Sequence, residues 1–204
     1  MQLRSLTVYI VEDDASVRDS LALMLGLAGY NTVFFGDAEG FLAAWHPDWA
    51  GCVVADLKLP AVSGIELQAE LRRLGSSLPF IIITAHGDVA AARAAFRADA
   101  VDFLEKPFDQ GQLRAAIDTA FSLEARRLRR SAEAEQLSLL TAREREVLEH
   151  AAKGLHAKEI ARALGISART VEVHKTHLMA KLGVRNVAEL VRFALAAGTS
   201  SDTK

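Results

Sequence analysis

Four short runs in this chain each end on a residue that carries chemistry, and that repeated ending restricts the fold more than any other feature. Val8-Tyr9-Ile10-Val11 runs into Glu12-Asp13-Asp14, and Cys52-Val53-Val54-Ala55 into Asp56. Phe80-Ile81-Ile82-Ile83 runs into Thr84, and Val101-Asp102-Phe103-Leu104 into Glu105-Lys106-Pro107. A carboxylate at the exit of a buried strand needs a partner, because an unpaired charge is costly to remove from water. In an open parallel sheet, reacting groups gather outside the carboxyl ends of the strands, near the point where strand order reverses. Three acids, a hydroxyl and a lysine are therefore expected to meet in one crevice.

The rest of the first 120 residues agrees with such a sheet. Strands are predicted near 6–11, 31–35, 51–55, 80–84 and 101–104, alternating with helices near 15–28, 38–45, 63–74, 88–98 and 109–121. In the first helix Val17, Leu21, Met24 and Leu25 make the apolar stripe of a helix laid on a sheet. Alternation of this kind predicts a five-stranded parallel, doubly wound sheet. The last helix need not stop at 121: residues 122–138 contain neither Gly nor Pro and are charged, so they read as a helical connector. The Arg126-Arg127 and Arg129-Arg130 pairs within it read as a solvated helix face, with a nucleic-acid patch as the rival.

Beyond the connector every element is helical. Thr141 followed by Glu144 is a capping box that opens a helix burying Val147 and Leu148, and Gly154 stops it. Ala157 to Leu164 is a short helix ended by Gly165; Ser167 caps a longer one to about Leu182; Val187 to Ala197 is the last. The tight Leu164-Gly165-Ile166-Ser167 turn between two helices is the mark of a helix-turn-helix. The expected architecture is thus an α/β domain over 1–121, a helical linker over 122–137 and a smaller all-α domain over 138–204.

Charge separates the same two parts. Residues 1–120 hold 9 Lys/Arg against 16 Asp/Glu, net −7, whereas 121–204 hold 15 against 10, net +5. An acidic front suits a cation and a basic rear suits a polyanion. Cys52 is the only cysteine, so no internal disulfide can form, and its apolar surroundings predict a packed core thiol. No basic cluster leading a long apolar stretch opens the chain, and no run approaches the length of a membrane span. A cytoplasmic protein without membrane contact is expected.

Carboxylates held together raise one another's pKa unless a cation relieves them. Mg²⁺ prefers oxygen ligands from one or two carboxylates, a carbonyl, water and phosphate. With Asp13 and Asp56 on the metal and Glu12 acting through water, a free Asp56 oxygen can attack phosphorus, an established route to an aspartyl phosphate. Lys106, the Thr84 hydroxyl and a backbone N–H near Leu57 and Lys58 would face the other phosphoryl oxygens. Any one of these residues alone reads as an ordinary loop residue. Four matching strand ends do not.

These residues resemble the receiver domain of two-component response regulators. Residues 6–121 carry the acidic pair, the phosphoacceptor in Val54-Ala55-Asp56-Leu57-Lys58-Leu59-Pro60, Thr84, and Glu105-Lys106-Pro107-Phe108. Ile83-Thr84-Ala85-His86-Gly87-Asp88-Val89 is similar to the FixJ branch of the NarL/LuxR-type regulators. The resemblance implies a flavodoxin-like sheet, a sensor histidine kinase as phosphodonor, the Lys58 backbone carbonyl as a further metal ligand, and a switch in which Thr84 moves towards phosphate while Phe103 turns inward. Three departures stand out: Glu12 in place of a frequent Asp, Asp99 where a glycine often ends the helix near 88–98, and Ala90 for a proline.

In the helix from Ala168 to Leu182, Val171, His174, Leu178 and Leu182 are expected to face the core, with His174 a packed or phosphate-facing imidazole. Glu172, Val173, Lys175, Thr176 and Met179 fall on the other side. An apolar group there meets the thymine methyl and Glu accepts from cytosine N4, while Lys158, Arg169, Thr170 and Lys175 suit phosphate contacts that set register. Residues 138–198 resemble the LuxR-type output domain, through Leu140-Thr141-Ala142-Arg143-Glu144-Arg145-Glu146-Val147-Leu148, Ser167 to His174 and Lys181-Leu182-Gly183-Val184. That resemblance puts base reading on Glu172, Val173 and Thr176 and the dimer contact on Val187 to Ala197. The implied protein is a regulator phosphorylated on Asp56 that dimerises, binds a two-fold promoter site and acts on RNA polymerase, more in the manner of an activator than a repressor. Two rivals remain: an ester phosphatase working through an aspartyl intermediate, which lacks a second acid at short spacing from Asp56, and a DNA-binding protein whose front domain dimerises without phosphate.

Overall fold

The computed structural model describes residues 6–85, 95 and 99–197. The chain divides into two compact units, Met1–Arg126 and Arg127–Lys204. In the first, the strands are β1 (Thr7–Val11), β2 (Asn31–Phe35), β3 (Gly51–Asp56), β4 (Phe80–Thr84) and β5 (Asp102–Glu105), all parallel in the order β2-β1-β3-β4-β5. Helices α1 (Ala15–Leu27), α2 (Ala38–Ala44) and α3 (Gly64–Arg73) lie between them. Of the helix expected at 88–98 only Ala95 is among the described residues, and it is fully buried. Helix α4 runs unbroken from Gln110 to Ser138, through the unit boundary and the expected connector.

The period of two along each strand divides the core between the faces of the sheet. Val8, Ile10, Cys52, Val54, Ile81, Ile83 and Leu104 pack with Leu21 and Leu25 of α1 and Leu113 and Ile117 of α4. Tyr9, Val11, Val53, Ala55, Phe80 and Ile82 pack on the other side with Phe41 of α2 and Leu67 and Leu71 of α3. Because β1, β3 and β4 are covered on both faces, they read in the sequence as continuous apolar runs. The doubly wound parallel sheet expected from that pattern is the observed one.

The second unit holds α5 (Ala142–Ala152), α6 (Ala157–Leu164), α7 (Ala168–Leu182) and α8 (Val187–Ala196). Their inner faces meet in one core of Val147, Leu148, Ile160, Val171, Leu178, Leu182, Leu190 and Ala194. Thr141 and Glu144 form the expected capping box, and Ser167 Oγ accepts the Thr170 N–H at 3.0 Å. Between α6 and α7, Gly165 adopts φ 66°, the left-handed conformation that lets the chain turn at once into the next helix. Among the described residues, no helix is long and apolar enough to cross a membrane.

Candidate functional site

The sheet order makes the site. The strand order reverses between β1 and β3, and the chain leaves β1 for α1 on one face but β3 for α3 on the other. The two connections diverge, leaving a crevice at the carboxyl end of the strands. Register pairs Val11 with Ala55, Asp56 with Ile83 and Thr84 with Glu105. Glu12, Asp56, Thr84 and Lys106 therefore fall within a residue or two of one level.

Lys106 joins two of them. Its Nζ lies 2.6 Å from Glu12 Oε2 and 2.5 Å from Asp56 Oδ2. Both acids are removed from solvent, Glu12 at 1 % and Asp56 at 7 % exposure. Burial raises the Glu12 pKa, and the Lys106 hydrogen bond offsets this only in part because Asp56 repels the same charge. Burial alone would lower the Lys106 pKa, but hydrogen bonds to Asp56 and Glu12 outweigh it and the net direction is upward. One ammonium serving two buried carboxylates leaves the crevice short of positive charge.

The backbone after Asp56 folds back on it. Asp56 Oδ1 accepts the Lys58 N–H at 2.9 Å, an Asx turn, and Leu57 N–H donates to Ile83 O at 2.7 Å. Gly64, at the start of α3, is forced: a Cβ there would stand 2.4 Å from the Asp56 carbonyl oxygen. Ala61, in the same loop, takes a left-handed φ of 65°.

The acidic loop after β1 is less uniform than its sequence. Asp13 is exposed. Asp14 spends its carboxylate on the N-cap of α1, accepting from Ser16 N at 2.8 Å, Val17 N at 3.3 Å and Ser16 Oγ at 2.6 Å. Those bonds lower its pKa. Arg18 Nη1 donates to the carbonyl oxygens of both Glu12 and Asp13, at 2.7 and 2.8 Å. Among the described residues no group of three or more His, Cys, Asp or Glu side chains is placed to hold a metal ion. The acids that converge are two, on Lys106. The donor set still fits Mg²⁺, which needs only one or two carboxylates with carbonyl, water and phosphate oxygens. Glu12, Asp56, the nearby Asp13 and the Lys58 carbonyl are all hard oxygen donors.

Thr84 is fully buried at the end of β4, and its carbonyl accepts the Lys106 N–H at 2.7 Å. Phe103 is half-buried and packs with the Ile82 face, beside which β5 registers it. By strand alternation Thr84 falls on that same face. Asp99 takes φ 63°, so the left-handed position where the sequence departs from glycine is real. Ala90 lies outside the described residues.

On α7 the outer face carries Glu172, Val173 and Thr176, all exposed, with Val173 at 47 %. Lys158, Arg169 and Thr170 are exposed as well. The Thr176 hydroxyl donates to Glu172 O at 2.9 Å, which leaves its lone pairs and methyl to face outward. Lys175 and Met179 differ from their expected side. Lys175 is only 6 % exposed, with Nζ 3.4 Å from Glu172 Oε1, and Met179 packs against the core. Four residues past Val171 and three before Leu178, Lys175 shares their stripe, so its alkyl stem lies on the buried side and its ammonium sits beside Glu172. His174 is half-buried.

Comparison with known proteins gives two family matches: a response regulator receiver domain over residues 8–118, and the luxR family of bacterial regulatory proteins over residues 138–194. The transcriptional regulatory protein FixJ of Bradyrhizobium diazoefficiens is 40 % identical over 199 residues, covering 96 % of this chain and 97 % of that protein. FixJ of Rhizobium meliloti is 44 % identical over 202 residues, covering 94 % and 96 %. Among solved structures, the response regulator StyR aligns with a TM-score of 0.73 at 39 % identity over 94 % of this chain and 98 % of that one.

Proposed function

Because the chain belongs to the response regulators, with a receiver domain followed by a LuxR-type DNA-binding domain, we propose that a partner histidine kinase phosphorylates it on Asp56 and that the phosphorylated chain dimerises on promoter DNA. The family is one of transcription regulators and not of enzymes. The contact that supports this reading is the Lys106 ammonium shared between Asp56 and Glu12 at the carboxyl end of β3.

In the reaction, an Asp56 carboxylate oxygen attacks the phosphorus of a phosphohistidine; the new O–P bond forms as the N–P bond breaks, and the imidazole leaves. The protein's share is positioning and charge neutralisation. Lys106 turns from its second carboxylate to a phosphoryl oxygen, the Lys58 N–H holds Asp56 in place, and the Thr84 hydroxyl donates to another phosphoryl oxygen. Glu12, Asp13, Asp56 and the Lys58 carbonyl would hold Mg²⁺, which would supply further positive charge against those oxygens. Movement of Thr84 then frees space on the face it shares with Phe103, and the ring turns inward.

Output follows from α7 and α8. Lys158, Arg169 and Thr170 fix register on phosphates, joined by Lys175 through its ammonium end alone, while Glu172, Val173 and Thr176 read base edges. Val187 and Leu195, exposed on α8 at 46 % and 57 %, give a second copy an apolar contact. The domains are assigned as receiver 1–121, linker 122–137 and output 138–204, in a cytoplasmic activator that engages RNA polymerase. The test is acetyl phosphate with Mg²⁺ followed by intact mass. The wild type gains one phosphoryl group and Asp56→Ala gains none; an unmodified wild type, or a modified Asp56→Ala, removes the reading.

A further inference from the structure

We infer that Arg18 is a positioning residue of the phosphoacceptor site, acting through the backbone of Glu12 and Asp13 to set where their carboxylates meet a divalent cation. The inference rests on the proposed cation-assisted phosphorylation of Asp56.

Two successive carbonyls seldom point at one donor. Here Arg18 Nη1, in the first turn of α1, donates to both Glu12 O at 2.7 Å and Asp13 O at 2.8 Å. Fixing two consecutive carbonyls fixes two peptide planes, and with them the directions in which the Glu12 and Asp13 side chains leave the backbone. The loop is tied at further points: Glu12 N–H to Phe35 O at 3.1 Å, Arg18 N–H to Asp14 O at 3.0 Å, and the Asp14 cap on α1. The guanidinium lies beside Gly36, where a Cβ would make an ordinary contact 3.7 Å from Nη1. A positive group behind the acids also offsets their repulsion before any cation arrives. Arg18 itself is half-buried and touches neither Asp56 nor Lys106 through any of these bonds.

Groups that orient metal ligands without binding the metal govern affinity through geometry. In the full chain, Mn²⁺ binding is followed through loss of the free-ion paramagnetic signal, and receiver folding through the fluorescence of Trp45 and Trp49. Arg18→Met is expected to weaken Mn²⁺ binding by about tenfold while staying folded, and Arg18→Lys, whose ammonium still reaches one carbonyl, by less. The acetyl phosphate reaction of Arg18→Met should need more cation for half-maximal rate yet approach the wild-type rate at saturation. Mn²⁺ binding unchanged in both variants overturns the inference. So does loss of binding in Arg18→Met only to the extent that it unfolds, with folded Arg18→Lys binding as the wild type does. A wild type that neither binds the ion nor takes the phosphoryl group overturns instead the phosphorylation reading beneath it.

Discussion

Each unit contains a lysine on a buried carboxylate, and the two pairs are built in opposite ways. In the receiver, Lys106 is divided between Glu12 and Asp56, and burial leaves the Glu12 pKa raised. In the output unit Glu144, 4 % exposed, has three donors to itself: Thr141 N at 2.8 Å, Thr141 Oγ1 at 2.9 Å and Lys181 Nζ at 2.7 Å. Burial would raise its pKa, but these bonds win and hold it at about 2. The output pair is satisfied and fastens the end of α4 to α7, since Lys181 also donates to Leu139 O at 3.2 Å. The receiver pair is short of one positive charge. The proposed phosphorylation, with its cation, calls for a site left in that condition; a structural lock does not.

Removing the lysine from each pair breaks the comparison most directly. Lys106→Met leaves two buried carboxylates facing each other, with an expected cost of about 3 kcal/mol at neutral pH. Denaturation followed through Trp45 and Trp49, which both lie in the receiver, should recover part of that loss on adding Mg²⁺ or on lowering the pH. A variant as stable as the wild type in both conditions would mean that the acids are not in want of charge. Lys181→Met takes one of three donors from Glu144 and is expected to cost the output unit about 2 kcal/mol, read by helix circular dichroism and insensitive to Mg²⁺.

The slopes with pH sharpen the contrast. Glu144 is depressed from 4.5 to about 2, so its contribution is complete above pH 4.5 and is lost as pH falls towards 2. Glu144→Gln should remove that acid loss from the output unit. Glu12 is shifted the other way, so the folded receiver binds its proton more tightly than the unfolded chain does. Its contribution therefore declines as pH rises above 4.5. Glu12→Gln should flatten that decline, and equal slopes in variant and wild type would show that Lys106 neutralises Glu12 fully.

The same distinction explains what the sequence could reveal. Strands β1, β3 and β4 are buried on both faces, so they appear as unbroken apolar runs, and the residues ending them mark the crevice without any tertiary information. Glu12, Asp56 and Thr84 were legible for that reason, and Lys106 from the shorter run that ends β5. What depends on the direction of one side chain was not. Asp14 looks like a third acid of the loop until its carboxylate is seen capping α1. Arg18 acts on carbonyls, which leave no trace in residue type. The contact of Gly64 with the Asp56 carbonyl belongs to packing. Lys175 was placed outward by its charge, although its spacing from Val171 and Leu178 already put its stem on the core stripe. Spacing was the better guide there.

The smallest effect tests strain beside the acceptor. Ala61 holds φ 65° in the loop that joins β3 to α3, and Asp99 holds φ 63° before β5. A left-handed L-residue costs about 1–2 kcal/mol, and Asp bears it better than Ala because its side chain can bond locally. Glycine relieves the strain but gives the unfolded chain more freedom, which returns roughly half of the gain. Ala61→Gly is therefore expected to stabilise the receiver by about 0.5–1 kcal/mol, and Asp99→Gly by less. The urea midpoint followed through Trp45 and Trp49 decides it. A gain at Ala61 accompanied by unchanged acetyl phosphate kinetics would place the strain outside the chemistry. A slower reaction in the more stable variant would mean that the stiff turn helps hold the Lys58 N–H on Asp56, making the strain part of how the acceptor is presented.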